Sequence, residues 1–271
     1  MPTFNSIDRI QYSIASILNQ TYQNIQVNIS VNKSEDGTEE FLEELYKNNP
    51  RVTIIRNDKF LSFNDNFTRV LESCIDDYFM WASDDDYWDP NFIEIGMRAM
   101  QENVDYFFPK FVTGKVSKIK GEKKSCGIFQ FLEGEIPAER MLNFVNLHHL
   151  SHKCNIVYSL FKTEFLREQV NKQDISDDGV LGALISFYGR AIVSEETLFY
   201  KDFSYDLNIA RIAKEILISM NVKHTSEFKL QVETSYRKLS GFFPEYESLI
   251  GEIAKSYPRI TIKRDFKILK I

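Results

Sequence analysis

The chain has 271 residues, 43% of them hydrophobic and 27% charged, values that suit a globular protein with room for a substantial core. Its 33 basic and 39 acidic side chains leave a net charge of −6, which offers no basic field to a nucleic-acid partner. No apolar run reaches the roughly 18 residues of a membrane-spanning helix, and the three cysteines form no CxxC pair or disulfide framework. The start has no basic region followed by an apolar one, so no signal peptide is expected, and the expected location is the cytoplasm.

Up to about Asn103, short apolar runs alternate with helical patterns. Ile7, Ile10, Ile14, Ile17 and Leu18 recur at helical spacing, and residues 25–31 alternate with period two as a strand does. Thr38 stands where an N-cap belongs, ahead of Phe41, Leu42 and Leu45. Residues 52–55 read as another strand, and Ser62 as the cap of a helix bearing Phe63, Phe67, Val70 and Leu71. Residues 78–82 are short, bulky and apolar, which predicts a buried parallel strand. Pro90 suits the first turn of the next helix, which carries Phe92, Ile93, Ile95 and Met100. Strands alternating with helices predict βαβ units and a mostly parallel sheet. From Val104 the pattern loosens. Residues 104–108, 111–119 and 155–160 read as strands, and residues 137–145 and 178–188 as helices. Beyond Tyr205 it is mainly helical, through Ile209, Ile212, Ile216 and Leu217 and then from Leu230 to Leu239.

The chemistry concentrates in Ser83-Asp84-Asp85-Asp86-Tyr87-Trp88-Asp89-Pro90. Three consecutive carboxylates follow the apolar run, at the edge where open α/β sheets take ligands. Like charges this close resist joint ionisation unless a cation is present. Mg²⁺ and Mn²⁺ prefer oxygen ligands, and Mg²⁺ often takes one or two carboxylates plus substrate phosphates. The cluster is therefore a candidate platform for a divalent cation that holds a diphosphate. A solvated acidic turn before a helix accounts for the same residues, because carboxylates near an N-terminus favour the helix dipole.

Four earlier segments keep this cluster company: Pro2-Thr3-Phe4-Asn5, Ser16-Ile17-Leu18-Asn19-Gln20-Thr21-Tyr22-Gln23-Asn24-Ile25, Asn32-Lys33-Ser34-Glu35-Asp36-Gly37-Thr38, and residues 61–71 with Asn64 and Asn66. In this order they resemble the motifs of bacterial-type family 2 glycosyltransferases, and residues 83–90 fall where that family has its Asp-x-Asp metal motif. Several motifs in sequence are far more specific than one alone. The resemblance extends to Asn103, weakens to Lys201 and is absent beyond.

The resemblance implies an α/β fold of the GT-A (Rossmann-like) type, a mostly parallel central sheet flanked by helices, with a mainly helical C-terminal extension. Residues 1–201 would be the GT-A domain, with 1–103 the nucleotide-sugar-binding half and 104–201 the acceptor-binding half. Residues 202–271 would be the helical extension with a basic tail. Thr3, Asn5, Asn32 and Asn66 fall at donor-binding positions, and Asp84 on the ribose side. Asp85 and Asp86 fall at the Mn²⁺ or Mg²⁺ ligands, with the direct ligand of the two left open by spacing. Asn32 replaces an aspartate that commonly accepts a hydrogen bond from uracil. Its amide oxygen still accepts, and the identity of the base stays open.

A general base is also implied, because an acceptor hydroxyl is a poor nucleophile until a carboxylate takes its proton. Ser176-Asp177-Asp178-Gly179 precedes a helical pattern, which puts Asp178 at the base position with Asp177 beside it. Simple capping by Ser176 explains the same pattern, and Asp174 is a weaker contender for the base. One in-line displacement inverts the anomeric configuration. Two departures stand out. The family's strand before the opening motif is missing, which points to a truncated start or a mis-set initiation site. The late histidine ligand is also missing around Tyr200-Lys201-Asp202, which implies either weaker metal affinity or Asp202 as its substitute.

The partners implied are a nucleotide-diphosphate sugar, a UDP-sugar first, and a glycan or lipid-linked acceptor in bacterial surface polysaccharide or glycolipid synthesis. The basic, apolar stretch after Pro258 suits peripheral contact with the inner face of the plasma membrane, or plain packing on the domain. His148, His149 and His152 with Cys154 match no common zinc spacing. Tyr87 and Trp88 suit either a sugar face or the core. A sugar nucleotidyltransferase would show an early glycine-rich loop, and no glycine precedes Gly37. A catalytically silent nucleotide-sugar binder or scaffold is the competing reading from another class.

Overall fold

A computed structural model of the chain describes residues 1–114, 124–125, 129–147, 153–202 and 225–252. Its first sheet joins β1 (Pro2–Thr3), β2 (Val27–Val31) and β3 (Val52–Arg56) in that order, all parallel. Parallel neighbours need crossovers, supplied by α1 (Ile10–Leu18) and α2 (Thr38–Tyr46); α3 (Phe63–Glu72) follows β3 and packs on β2. Val27, Ile29 and Val31 are buried and Asn28 is half-buried, but Ser30 is buried as well, so the outward face is only partly open. Gly37 precedes α2 at φ 88°, a left-handed conformation that a glycine adopts without strain. Thr38 is the first helical residue rather than the cap. Its hydroxyl accepts the Ser6 N–H at 2.9 Å and so ties the opening loop to this turn. Ser62 caps α3 as its sequence predicts, accepting the Asp65 N–H at 3.1 Å.

The second sheet has the order β4-β8-β6-β9-β5, with β7 (Lys124–Ser125) on β6. Here β4 is Tyr78–Phe79, β5 Tyr87–Trp88, β6 Tyr106–Gly114, β8 Leu160–Lys162 and β9 Ala191–Asp202. Within it β6 and β9 run parallel, and the other pairs are antiparallel. The run 78–82 therefore yields a two-residue antiparallel strand. After Phe79 the chain leaves the ladder, and Trp81, fully buried, donates its indole N–H to the Phe67 carbonyl at 3.0 Å. Residues 155–160 also differ from expectation, because Lys153–Tyr158 forms a 3₁₀ turn ahead of β8. The β6–β9 register slips between Phe108 and Phe111. Pro109 lies there and has no N–H to give the ladder.

The core is strongly aromatic. Tyr106, Phe107, Phe108 and Phe111 of β6, Phe161 of β8 and Phe199 of β9 are all buried. Trp88 is fully buried and stacks on Phe199 with centroids 5.2 Å apart, so it belongs to the core and not to a sugar platform. Helices α4 (Phe92–Ala99), α5 (Pro137–Asn146), α6 (Thr163–Lys172) and α7 (Asp178–Tyr188) complete this half. Helix α7 is buried from Val180 to Ser186. Gly182 lets α5 approach, since a Cβ there would stand 2.3 Å from Phe144 Cζ. Helix α8 (Thr225–Phe242) packs on α7 and buries Tyr236 and Leu239. Among the described residues no helix is long and apolar enough to cross a membrane. The stretch 209–217, the cluster 148–152 and the basic tail from residue 253 lie outside the described residues.

Candidate active site

The acidic segment hangs from α1. Ser13 Oγ donates to the Asp86 carbonyl at 2.7 Å, and Ser16 Oγ accepts the Trp88 N–H at 3.3 Å. Gln20, buried, donates to the Asp89 carbonyl at 2.7 Å and accepts the Ile93 N–H at 2.9 Å. The Ser-Ile-Leu-x-Gln segment thus fixes the loop that carries the carboxylates. Every one of these bonds ends on backbone.

Next to this loop, Thr3, Phe4, Asn32, Phe60, Phe63 and Asp84 contribute to the lining of a cavity of about 280 Å³, together with Asn66 and Tyr158. Thr3 Oγ1 donates to Asp84 Oδ2 at 2.6 Å, and the Ser6 hydroxyl reaches the same oxygen. Burial pushes the Asp84 carboxyl above its usual range, and the two hydroxyls oppose that shift. Phe4 and Phe60 meet edge to face at 5.3 Å, and both are exposed at the rim beside Phe63. An apolar rim over a small polar floor is the usual form of a ligand pocket.

Asn32 and Asn66 sit in that lining with their side chains already engaged. Asn32 Nδ2 donates to the Leu61 carbonyl at 2.9 Å, and its Oδ1 accepts the Leu61 N–H at 2.9 Å and the Lys33 N–H at 3.1 Å. Leu61 offers one obligate donor and one obligate acceptor, so the amide orientation is fixed, with one N–H left over. Asn66 Oδ1 accepts from Ser30 Oγ at 2.6 Å and from Asn57 at 3.3 Å, knotting α3 to β2. Asn5, at φ 49°, accepts the Glu35 N–H at 2.9 Å and so joins the opening loop to the turn after β2.

The three carboxylates differ sharply in surroundings. Asp86 is 1% exposed, and both its oxygens are taken. Lys201 Nζ lies 2.7 Å from Oδ2, and the Asp202 N–H lies 3.0 Å from Oδ1. The β5–β9 pairing, with Tyr87 opposite Tyr200, delivers Lys201 and Asp202 to this spot. Asp85 accepts from the Ser83 hydroxyl through Oδ1, while Oδ2 faces Arg9 at 3.9 Å. Among the described residues no three His, Cys, Asp or Glu side chains converge as a closed metal centre. The donor set fits a divalent ion in one form. Asp85 is 27% exposed at its side chain and would offer such an ion one protein carboxylate, the further oxygens coming from a substrate's phosphates.

Asp178 opens α7 at the surface and is not among the residues lining the cavity. The turn Ile175–Asp177 ahead of it packs on α3, the helix whose Phe63, Asn66 and Phe67 line that cavity. Asp177, not Ser176, caps α7, through Oδ1 on the Val180 N–H at 3.2 Å. Asp174 caps the preceding turn at Ser176. Sequence reasoning missed Ser6, Arg9, Phe60, Tyr158 and Lys201. Only Lys201 lay in a segment already singled out, at the place of the missing histidine.

A glycosyltransferase of Haemophilus influenzae, described as uncharacterised, is 33% identical over 135 residues, 49% of this chain and 40% of that protein. The chain thus spans well under half of that relative's length. The GalNAc(5)-diNAcBac-PP-undecaprenol beta-1,3-glucosyltransferase of Campylobacter jejuni is 20% identical over 280 residues, 100% of this chain and 87% of that one. Among solved structures, S. aureus TarS 1-349 in complex with UDP-GlcNAc matches with a TM-score of 0.63 and 15% identity, covering 94% of this chain and 69% of that one. The mannosyltransferase PcManGT of Pyrobaculum calidifontis, in complex with GDP-Man and Mn²⁺, matches with a TM-score of 0.58 and 13% identity, covering 95% and 68%. These likenesses establish a GT-A fold. The family model for glycosyl transferase family 2 matches residues 1–187, and the chain belongs to that family.

Proposed function

We propose that this glycosyltransferase moves a sugar from a nucleotide-diphosphate donor, a UDP-sugar first, to an acceptor hydroxyl with inversion at the anomeric carbon. The observation that carries the reading is the cavity itself, where the opening strand's Thr3 is bonded to Asp84 of the acidic loop. Phe4 and Phe60 at the rim offer faces to a base, and the spare N–H of Asn32 suits an acceptor atom on its edge. Asp84 lies on the ribose side. Asp85 is the ligand for Mn²⁺ or Mg²⁺, with Asp86 behind it as a buried support. Such an ion, when bound with the donor, supplies positive charge against the leaving diphosphate.

In this reading Asp178 accepts the proton of the acceptor hydroxyl as its oxygen forms a bond to the anomeric carbon. The bond from that carbon to the diphosphate oxygen breaks in the same step, and the nucleoside diphosphate leaves. Residues 1–103 serve the donor, 104–201 the acceptor, and 202–271 form an extension. The undecaprenol-linked substrate in the name of the C. jejuni relative supports a lipid-linked acceptor; surface polysaccharide or glycolipid synthesis at the inner membrane face is the setting that reading calls for. A silent nucleotide-sugar binder is the second reading. It is favoured by one observation, that Asp86 already carries Lys201.

A thermal-shift screen of UDP, GDP, CDP and ADP, each with and without Mn²⁺, tests the donor class. One base should raise Tm with Mn²⁺ present, and no shift for any base would overturn the reading. Release of nucleoside diphosphate from the matching sugar separates the transferase from the silent binder.

A further inference from the structure

We infer that α8, through Ser235 and Lys238, positions the acidic turn that opens α7 and so braces Asp178; the catalytic part of this inference rests on the base role proposed above. One carboxylate carries the link. Asp177 Oδ1 caps α7 at Val180, and its Oδ2 accepts the Ser235 hydroxyl at 2.7 Å across 58 residues of sequence. Lys238 Nζ stands 3.7 Å from the same Oδ2. Asp177 is therefore held from both sides, by the helix it caps and by a helix of the C-terminal extension. Asp178 is the next residue, so a turn of the Asp177 backbone would swing it.

The same helix pair is locked at its other end. Phe243, just past α8, is 1% exposed and packs on Phe187 and Tyr188 at 4.5 and 6.2 Å. Tyr236 and Leu239 are buried between these ends. Ser235 and Lys238, also three apart, share one neighbouring stripe of α8. The apolar stripe thus fixes the helix, and the polar stripe delivers a directional donor and a cation to Asp177. Lys238 is 44% exposed at its side chain, so its pairing orients more than it stabilises. The family match ends at residue 187, so these contacts come from outside the matched region. A displacement near 1 Å of a catalytic group can cost roughly 100-fold in rate, which makes such a contact matter.

The test compares Ser235→Ala, Ser235→Thr, Lys238→Met and Phe243→Leu in the full chain. Native-state hydrogen exchange reads the Val180 amide, and UDP release from UDP-GlcNAc with Mn²⁺ gives kcat and KM. Ser235→Ala should speed Val180 exchange and lower kcat about tenfold with KM unchanged, a loss on the scale of ~1.4 kcal/mol. Ser235→Thr should restore both. Phe243→Leu should lower Tm without changing kcat below the melting range. Unchanged Val180 exchange in Ser235→Ala overturns the brace, and this arm stands alone if release from UDP-GlcNAc is too slow to time. Loss of folded enzyme also lowers kcat at unchanged KM, so a kcat deficit in Ser235→Ala that vanishes well below its Tm overturns the brace also. If Ser235→Ala fails to fold, Lys238→Met carries the same comparison. Should Asp178→Asn keep full turnover while Ser235→Ala loses it, the base assignment fails and the brace stands. The reverse pattern sinks the brace alone.

Discussion

Lys201 Nζ lies 2.7 Å from Asp86 Oδ2, so the third carboxylate of the acidic loop carries a counter-ion from its own chain. Burial pushes the Asp86 carboxyl up to about 7, against the pull of Lys201. Burial also works against the Lys201 ammonium, but Tyr158, Asp86 and Asp85 hold it above its ordinary value. These two shifts pull against each other on whether the pair is ionised at neutral pH. Two donors, Lys201 Nζ and the Asp202 N–H, face the carboxylate, the arrangement of an ionised acid. Removing one partner strands the other. Lys201→Met should cost ~3–5 kcal/mol in urea unfolding, and the Lys201→Met/Asp86→Asn double variant far less. A single-variant loss under ~1 kcal/mol would contradict the pairing.

The carboxylates should separate by variant. Asp85→Asn should remove the Mn²⁺-dependent part of nucleoside diphosphate binding, roughly tenfold or more by titration calorimetry, at nearly unchanged Tm. Asp86→Asn should chiefly change stability, because its oxygens face protein donors. Equal loss of Mn²⁺ dependence in both would return Asp86 to the ion.

Asn32 holds the Leu61 N–H and carbonyl and the Lys33 N–H, so Asn32→Ala leaves two donors and an acceptor without that partner. We expect ~1–3 kcal/mol of destabilisation by chemical denaturation. Nucleotide affinity should fall as well, since Phe60 precedes the freed residue. Intact affinity in a destabilised variant would remove Asn32 and the Phe60 loop from base recognition.

Asp36 gives a pH signature. Its carboxyl is held below its ordinary value of 3.8; partial burial raises it, but bonds from Thr38 and from the Ile7 backbone outweigh that. The unfolded state then binds the proton more readily. Stability from this group is therefore complete above about pH 4 and is lost as pH falls through the depressed folded value. Asp36→Ala should be less stable than the parent at pH 7, and the gap should narrow below pH 4. A gap that is constant with pH would show that the hydrogen bonds do not depend on the charge.

Much of the first parallel sheet and its helices was legible because its signals are local. Residues 25–31 alternate with period two, Ser62 precedes a helical run, and each forms the expected element. The second sheet was less legible because its pairings join distant segments. Residues 78–82 have the composition of a buried strand, but Trp81 is buried outside the ladder, its indole N–H satisfied by the Phe67 carbonyl. Asp84 to Asp86 announced a site, yet their individual roles depend on Thr3, Ser6 and Lys201, which adjoin them only in space. Thr38 has the type and place of a cap, and Ser176 is a competing one, whereas Gly37 and Asp177 take those places, a shift of one residue that composition does not distinguish. Asp177's second anchor, in α8, has no local signature at all.

We propose that Asp178 takes the acceptor's proton in a site that binds the donor independently of it. The direct measurement is donor affinity by titration calorimetry alongside transfer rate, for the parent and for Asp178→Asn with Mn²⁺. Asp178→Asn should keep the parent's affinity within about twofold and transfer more slowly by ~10²–10⁴. Turnover retained in Asp178→Asn, at unchanged affinity, would contradict it.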